Sequence, residues 1–251
     1  MDEYFHIKGK KILVTGASSG IGRGISERLA NAGAHLYLCG RDRNRLDTVA
    51  NSLKGNEHQP LLGDLTSSDV QMKIATECEK LDGVVLNAGL IELMPFQIHN
   101  DQSIRELMEV NYMAPTLLLQ TLIKKRKISR NASIIVISSV TSANFGSIGG
   151  TIYGSSKGAL EGLVKSLSIE LGRQNIRVNS ISPGIIETEA IETLKKSLGE
   201  ESFQNDLKKY PLGRYGKPKD VASAVHFLLS DSSSWITGIN LVVDGGLTAH
   251  S

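Results

Sequence analysis

The chain has 251 residues, of which 40% are hydrophobic and 22% charged, and its formal net charge is +2. That length suits one substantial core, and so small a net charge leaves no electrostatic footprint for nucleic acid or a membrane surface. Aromatic residues at 5% are too few for a base-stacking platform, and Cys39 and Cys78, the only cysteines, form no Cys-x-x-Cys unit, which argues against a disulfide framework or a zinc site.

The first apolar run, Lys11–Thr15, predicts a strand, and Ile21–Ala32 the helix that follows it. Gly16, Gly20 and Gly22 fall in the turn between them, together with Ser18, Ser19 and Ile21. Glycine is needed where a backbone must turn tightly and approach a phosphate without a Cβ in the way. The helix N-terminus adds free N–H groups and the positive end of its dipole. A second strand, His35–Cys39, ends in Gly40 and Arg41. A carboxylate at that tip would accept from the ribose 2′-OH of NAD, whereas a guanidinium suits the 2′-phosphate of NADP. NADP(H) is therefore the expected cofactor, with Asp42 as a competing ribose acceptor. The helix Arg43–Leu53 and the strand Pro60–Leu62 come next. Asp64, beside Leu65, is placed either to accept from an adenine amino group or to cap the helix Asp69–Lys80. The fourth strand, Val84–Asn87, runs into Ala88 and Gly89, small residues that let a flat ligand lie against the backbone.

A long helix, Ser103–Lys124, carries Asn111 at its middle, a poor position for asparagine on propensity. A helix break or a bound water is expected there. Lys124-Lys-Arg-Lys127, with Arg130, is the one local concentration of charge. Cations favour a helix C-terminus, and an acidic carrier protein would also find a dock in such a patch. The fifth strand, Ser133–Ser138, leads to Ser139, whose hydroxyl can hold a substrate oxygen. Ser138 and Ser142 are rivals, because a one-residue change of strand phase exchanges them.

In the helix Tyr153–Leu171, Tyr153 and Lys157 stand at i and i+4 on one face. That face continues through Leu160, Val164, Leu167 and Leu171, so it is the buried one. A lysine on an apolar stripe is costly without a partner or a purpose. Burial beside a cation is expected to favour tyrosinate and so to draw the Tyr153 pKa down from about 10. Such a phenol gives a proton to a carbonyl oxygen or takes one from an alcohol. Two further Tyr-x-x-x-Lys pairs, Tyr4/Lys8 and Tyr215/Lys219, begin no apolar stripe and are expected at the surface. After the strand Arg177–Ser182, two short amphipathic pieces, about Glu187–Leu198 and Glu201–Tyr210, predict an insertion over residues 185–210. An insertion at that edge of a sheet is where a lid belongs. The helix Asp220–Leu229 and the strand Ile239–Val243 complete the series.

Strands alternating with helices almost throughout imply an α/β fold. The expected architecture is a three-layer, doubly wound parallel sheet of Rossmann type, about seven strands with helices on both faces, forming a single domain over residues 1–251. No metal-ligating pattern accompanies it. No signal-type apolar run opens the chain and none approaches the ~20 residues of a membrane span, so a cytoplasmic location is expected.

Taken in order, Thr15-Gly-x-x-x-Gly-x-Gly22, Asp64, Asn87-Ala-Gly89, Asn111, Ser139, Tyr153-x-x-x-Lys157 and Pro183-Gly184 followed by Thr188 resemble the short-chain dehydrogenase/reductase family. The resemblance runs from Lys11 to Gly246. It implies that Asn111, Ser139, Tyr153 and Lys157 form a catalytic tetrad, with Lys157 also holding the nicotinamide ribose. It further implies that Pro183, Gly184, Ile186 and Thr188 lie along the nicotinamide, Thr188 on its amide. The Ser139–Tyr153 interval is one residue longer than the commonest spacing, and glycine replaces the acid typical of NAD-preferring members. The last third, Pro211-Leu-Gly-Arg-Tyr-Gly-Lys-Pro218 through Val243-Asp-Gly-Gly246, is similar to the 3-oxoacyl-(acyl-carrier-protein) reductase branch. That likeness implies a homotetramer built through the helices around Met113 and Gly162.

The expected activity is NADPH-dependent reduction of a ketone or 3-oxoacyl thioester, free or carried on acyl carrier protein. The alternatives are an alcohol- or sugar-oxidising dehydrogenase and a nucleotide-binding regulator without chemistry. Intact Asn111, Ser139, Tyr153 and Lys157 argue against the regulator. The expected pocket lining, Leu90–Phe96, Asn144–Ile148 and Ile185–Ile186, is mostly apolar and holds no clamp for a carboxylate or phosphate.

Overall fold

The strand β1 (Lys11–Thr15) sends Ile12 and Val14 into one core and Leu13 into another, and all three are fully buried. A strand apolar on both faces needs a layer of helices on each, which is why these alternating runs build three layers. The structure, a computed structural model, describes residues 5–55, 58–189, 191 and 200–250. β2 (His35–Gly40), β3 (Gln59–Leu62), β4 (Leu81–Leu86), β5 (Ile128–Ile137), β6 (Arg177–Pro183) and β7 (Asn240–Val243) join β1 in one parallel sheet. Its order is β3-β2-β1-β4-β5-β6-β7. In chain order the described helices are α1 (Gly20–Asn31), α2 (Arg43–Ser52), α3 (Ser68–Glu77), α4 (Asp101–Met108), α5 (Ala114–Lys124), α6 (Thr151–Gly172), α7 (Glu200–Leu207) and α8 (Pro218–Leu229). Residues of α1, α2 and α8 fill the core on one face of the sheet, and residues of α3, α5 and α6 fill the other. The doubly wound parallel α/β sheet expected from the alternation is the fold observed. Among the described residues no helix is long and apolar enough to cross a membrane.

Strand order reverses between β1 and β4. The connections leaving their C-terminal ends diverge to opposite faces, and a crevice opens between them.

β5 departs from expectation by starting at Ile128 instead of Ser133. Its pairing with β4 jumps from Leu81↔Ile128 to Gly83↔Ser133, and the extra residues leave the ladder as a bulge with Asn131 at φ 65°. The basic cluster Lys124–Lys127 precedes β5 and so lies at the N-terminal edge of the sheet, whereas Ser139 lies beyond the opposite edge. The six residues of β4 separate the two edges by about 20 Å, so the cluster is remote from this chain's own cleft. Lys127 Nζ instead donates to the Cys78 carbonyl at 2.6 Å, at the C-terminus of α3, where a cation offsets unpaired carbonyls.

After β6 the inserted segment has a small core of its own. The Phe203 and Tyr215 rings lie 4.6 Å apart, centroid to centroid, and Tyr210 and Tyr215 5.1 Å. This corrects the surface placement expected for Tyr215. The ring is only 2% exposed and its hydroxyl donates to Asp206 Oδ2 at 2.8 Å, while Lys219 is exposed and apart from it. An aromatic residue outside any stripe has found its apolar partners in a separate segment. The helix α7 corresponds to the second predicted piece of the insertion. Residues 190 and 192–198 of the first piece, and Tyr4, lie outside the described residues.

The helices α1 and α8 cross at Gly24, where an added Cβ would sit 2.6 Å from Pro218 Cβ. Gly24→Leu gains ~1 kcal/mol of helix propensity but overpacks this crossing, for an expected net loss of about 1–2 kcal/mol. Urea unfolding should show a lower midpoint with an unchanged m-value.

Candidate active site

The glycine turn is built by close backbone approach. Gly16 and Gly20 take φ of 64° and 50°, and a Cβ added to Gly22 would lie 2.0 Å from the Gly16 carbonyl oxygen. A Cβ on Gly16 would meet Asn87 Nδ2 at 2.9 Å, so the turn touches the tip of β4. Asn87 Nδ2 donates to Thr15 O at 3.0 Å, and Thr15 Oγ1 accepts from the Asn87 and Ala88 N–H groups at 2.9 and 3.1 Å. The Asn87 amide is thus a brace for the turn, and Thr15, the residue that opens the glycine motif, is its counterpart. Ser19 at the N-cap of α1 makes no side-chain cap bond, and no acid stands in the first turn. The helix start therefore offers N–H groups to an anion with no carboxylate competing.

At the tip of β2, a Cβ on Gly40 would lie 3.2 Å from Ser18 Oγ and 3.3 Å from Leu46 Cδ1. A larger residue at 40 has to displace Ser18. Arg41 is exposed and stands 3.7 Å from Asp64, a solvent-screened pair of small energetic worth. Asp42 caps α2, its Oδ1 accepting from the Arg45 N–H at 3.0 Å, while its other oxygen stays exposed. Asp64 does not cap α3, whose N-cap is Ser67. Its carboxylate accepts from the Thr66 N–H at 3.0 Å and Thr66 Oγ1 at 2.9 Å. Those bonds, the Thr66 amide foremost, with Arg41 beside them, hold its carboxyl below the usual range. The Leu65 side chain is core, and Gln71 Nε2 holds its carbonyl at 2.8 Å.

On the far side of the crevice, Gly184 N–H donates to Val243 O at 3.1 Å and Ile186 is buried under α1 and α8. The Thr188 methyl group lies 3.2 Å from where a Cβ on Gly20 would stand. The tail of β6 therefore reaches the glycine turn across the crevice, bringing Pro183, Gly184, Ile186 and Thr188 to the same cleft as Gly16–Gly22.

The single helix expected over Ser103–Lys124 is broken into α4 and α5 by a π-helical turn, Glu109–Met113, with Asn111 at its centre. Asn111 is fully buried. Its Nδ2 donates to Leu90 O at 2.9 Å and to Ser156 Oγ at 3.0 Å, and its Oδ1 accepts from the Leu90 N–H at 2.7 Å. Widened turns of this kind turn a side chain out of the regular ladder, here onto the loop after β4. Lys157 Nζ donates to Ile137 O at 3.0 Å, and a Cβ on Gly89 would lie 3.2 Å from that nitrogen and 3.1 Å from Asn111 Oδ1. Asn111 and Lys157 thus meet beneath Gly89.

The three candidate serines separate cleanly. Ser139 Oγ lies 2.9 Å from Thr141 Oγ1, and its hydroxyl is on the Tyr153 side of the turn, close enough to act on the phenol. Ser138 Oγ turns to Lys157 O and Glu161, and Ser142 Oγ to Ser139 O and Glu161. Ser139 and Tyr153 are 8% and 9% exposed, at the edge of the crevice. Between them, the turn after β5 is closed by Ser142 and Asn144 N–H, which donate to the Ser139 and Val140 carbonyls.

The expected depression of the Tyr153 pKa is not found. Burial pushes the phenol above its ordinary value, and the nearby Ser139 hydroxyl pulls less strongly the other way. The physical reason is the direction of Lys157, whose ammonium faces the Ile137 carbonyl. Burial alone lowers the Lys157 pKa to about 8. Tyr153 is thus a buried phenol near a hydroxyl, on the helix that also carries the buried Lys157. Among the described residues no group of three or more His, Cys, Asp or Glu is placed to hold a metal ion.

A family model described as enoyl-(acyl carrier protein) reductase matches residues 16–248. A 3-oxoacyl-(acyl-carrier-protein) reductase, FabG, of Rickettsia bellii is 34% identical over 242 residues, covering 96% of this chain and 98% of that protein. A tropinone reductase homolog of Arabidopsis thaliana is 34% identical over 256 residues, covering 99% and 96%. The solved structure of a short-chain type dehydrogenase/reductase from Mycobacterium ulcerans aligns with a TM-score of 0.89 at 28% identity, covering 97% of this chain and 91% of that one.

Lys157 titrates near 8 when folded against 10.5 unperturbed, so between these values the unfolded chain binds more protons and stability rises with pH. The unfolding free energy of Lys157→Met relative to the native chain should therefore fall by about 2–3 kcal/mol from pH 7 to 10. Urea titrations across that range measure it, and a flat difference would mean that the ammonium is not desolvated.

Proposed function

The chain belongs to the short-chain dehydrogenase/reductase family, and on that premise we propose that it is an NADPH-dependent reductase of ketones, 3-oxoacyl thioesters among them. The observation that carries this reading is the convergence of Tyr153, Ser139, Lys157 and Asn111 on the sheet edge that also holds the glycine turn.

The residues present fit the cofactor. Gly16, Ser18, Ser19, Gly20, Ile21 and Gly22 suit a pyrophosphate at the bare start of α1. Arg41, exposed and only loosely paired, suits a 2′-phosphate, and Gly40 leaves no acid to accept from a ribose. Asp64 and Leu65 would face the adenine, Asn87, Ala88 and Gly89 the middle of the dinucleotide, and Pro183, Gly184, Ile186 and Thr188 the nicotinamide. When bound, NADPH supplies the hydride that adds to the carbonyl carbon.

The chain's own groups handle the oxygen. Ser139 holds the substrate oxygen against Tyr153, and Tyr153, kept protonated by burial, gives its proton as negative charge develops there. Lys157, mostly cationic at neutral pH, would have to turn from the Ile137 carbonyl to stabilise the phenolate left behind, and its ammonium would also hold the nicotinamide ribose. Asn111 fixes the loop after β4 beside that amine.

The substrate class follows from the loops around Ser139. Ile91, Leu93, Phe96, Phe145 and Ile148 are exposed there, and Met94 N–H joins the two loops through Gly149 O at 2.9 Å. Such a rim suits an apolar ketone or acyl chain, free or delivered on acyl carrier protein as the name of the Rickettsia relative describes. We further read the chain as a homotetramer, supported by exposed apolar side chains at Met113, Ile169 and Trp235.

Tyr153→Phe should lower the turnover of acetoacetyl thioesters or diketones by about 10²–10⁴-fold, with NADPH binding, followed by nucleotide fluorescence, intact. Near-normal turnover would remove the proton-donor role. Arg41→Ala should raise the KM for NADPH about tenfold, the worth of one charge-assisted phosphate contact, and change that for NADH far less. Equal effects on the two cofactors would remove the 2′-phosphate argument.

A further inference from the structure

Glu161 stands one turn beyond Lys157 on α6, half-buried, and belongs to none of the roles above. A single oxygen, Oε1, accepts from Ser138 Oγ at 3.1 Å, Ser182 Oγ at 3.2 Å, Asn240 Nδ2 at 3.0 Å and Ser142 Oγ. These donors come from β6, β7 and the turn after β5. Two of them, Ser138 and Ser142, bracket Ser139, and Ser142 Oγ also reaches the Ser139 carbonyl at 2.6 Å. Ser138 Oγ in addition reaches Lys157 O at 3.2 Å. One carboxylate oxygen therefore sits between the turn that presents Ser139 and the helix that presents Tyr153 and Lys157.

The helix surface beneath that turn is cut away to admit it. A Cβ on Gly154 would lie 2.5 Å from Thr141 O, and one on Gly158 3.2 Å from Ser142 O. Gly154, Gly158 and Glu161 follow at i, i+4 and i+7, so the two glycines form a groove that the carboxylate closes. The strands β6 and β7 are already fixed by their ladder. Backbone bonds hold the turn at only a few points, namely Val140 N–H to Pro183 O, Ser142 N–H to Ser139 O and Asn144 N–H to Val140 O. Each serine hydroxyl has a single proton, so Ser138 and Ser142 share theirs between Glu161 Oε1 and the Lys157 and Ser139 carbonyls, while Ser182 and Asn240 approach the same oxygen from the sheet.

We propose that Glu161 is a positioning residue of this site, locking the Ser139 turn onto α6 so that the serine hydroxyl meets the tyrosine. The proposal draws on the carbonyl-reductase reading only for its kinetic consequence.

The test compares Glu161→Ala, Glu161→Gln and Ser142→Ala in the full chain. Hydrogen–deuterium exchange at the Ser142 and Asn144 amides should quicken at least about tenfold in Glu161→Ala, while β1 and β4 amides keep their protection. Turnover of a diketone should fall about 10- to 100-fold, as expected of a misplaced reacting group, with the KM for NADPH within about twofold. Glu161→Gln keeps an acceptor oxygen and should restore most of both, and Ser142→Ala should loosen the turn without altering α6. Unchanged protection of the turn in Glu161→Ala would overturn the proposal. So would a loss of protection spread evenly through the sheet, or a loosened turn with undiminished turnover. Absence of any carbonyl reduction by the native chain would sink the functional reading alone, because the exchange measurement still decides whether Glu161 holds the turn.

Discussion

An ammonium group buried in an apolar core is the constraint around which this site is arranged. Lys157 is 4% exposed, and desolvation penalises its charge unless dipoles face it. The Ile137 carbonyl does so at the end of β5, and Asn111 stands close by under Gly89. The same crowding leaves no room for a side chain at Gly89, since a Cβ there would press on both the ammonium and the Asn111 amide. The Ser139 turn lies close by, since the residue that receives the ammonium is only two positions before it.

Much of this arrangement could be read from the chain because it depends on short-range patterns. Alternation within strands, the i, i+4 relation of Tyr153 and Lys157, and the glycines of the first turn are local facts, and the fold follows them closely. What escaped reading depends on partners far apart in the chain. The bulge in β5 is a property of its register with β4, invisible in either segment alone. Tyr215 is buried because Phe203 and Tyr210 come to it from a segment with no repeating stripe. The direction of the Tyr153 shift depends on where one flexible ammonium points, and spacing does not specify that. Glu161 gathers donors from positions 138, 142, 182 and 240, so no motif could have announced it. Asn111 shows the opposite case, since poor helix propensity at its position foretold the break.

The charged groups around the crevice form a loose set beside this tight centre. Arg41 and Asp64 meet at 3.7 Å with both side chains well exposed, and Arg45 and Glu189 at 3.6 Å likewise. Contacts of this kind are worth little in water and exchange readily for better partners. The buried network around Lys157 and Asn111 cannot rearrange so cheaply, because each donor left unmet there costs about 1–3 kcal/mol. Stiffness is thus concentrated around Lys157 and Asn111, and adaptability around Arg41, Asp64 and Arg45.

The contact between Gly40 and Ser18 ties two loops together. The positions are far apart in the chain, yet a side chain added at the first meets the second, and Ser18 would have to give by a few tenths of an ångström. The tip of β2 and the glycine turn therefore behave as one unit, and a substitution at 40 should be felt first at 18.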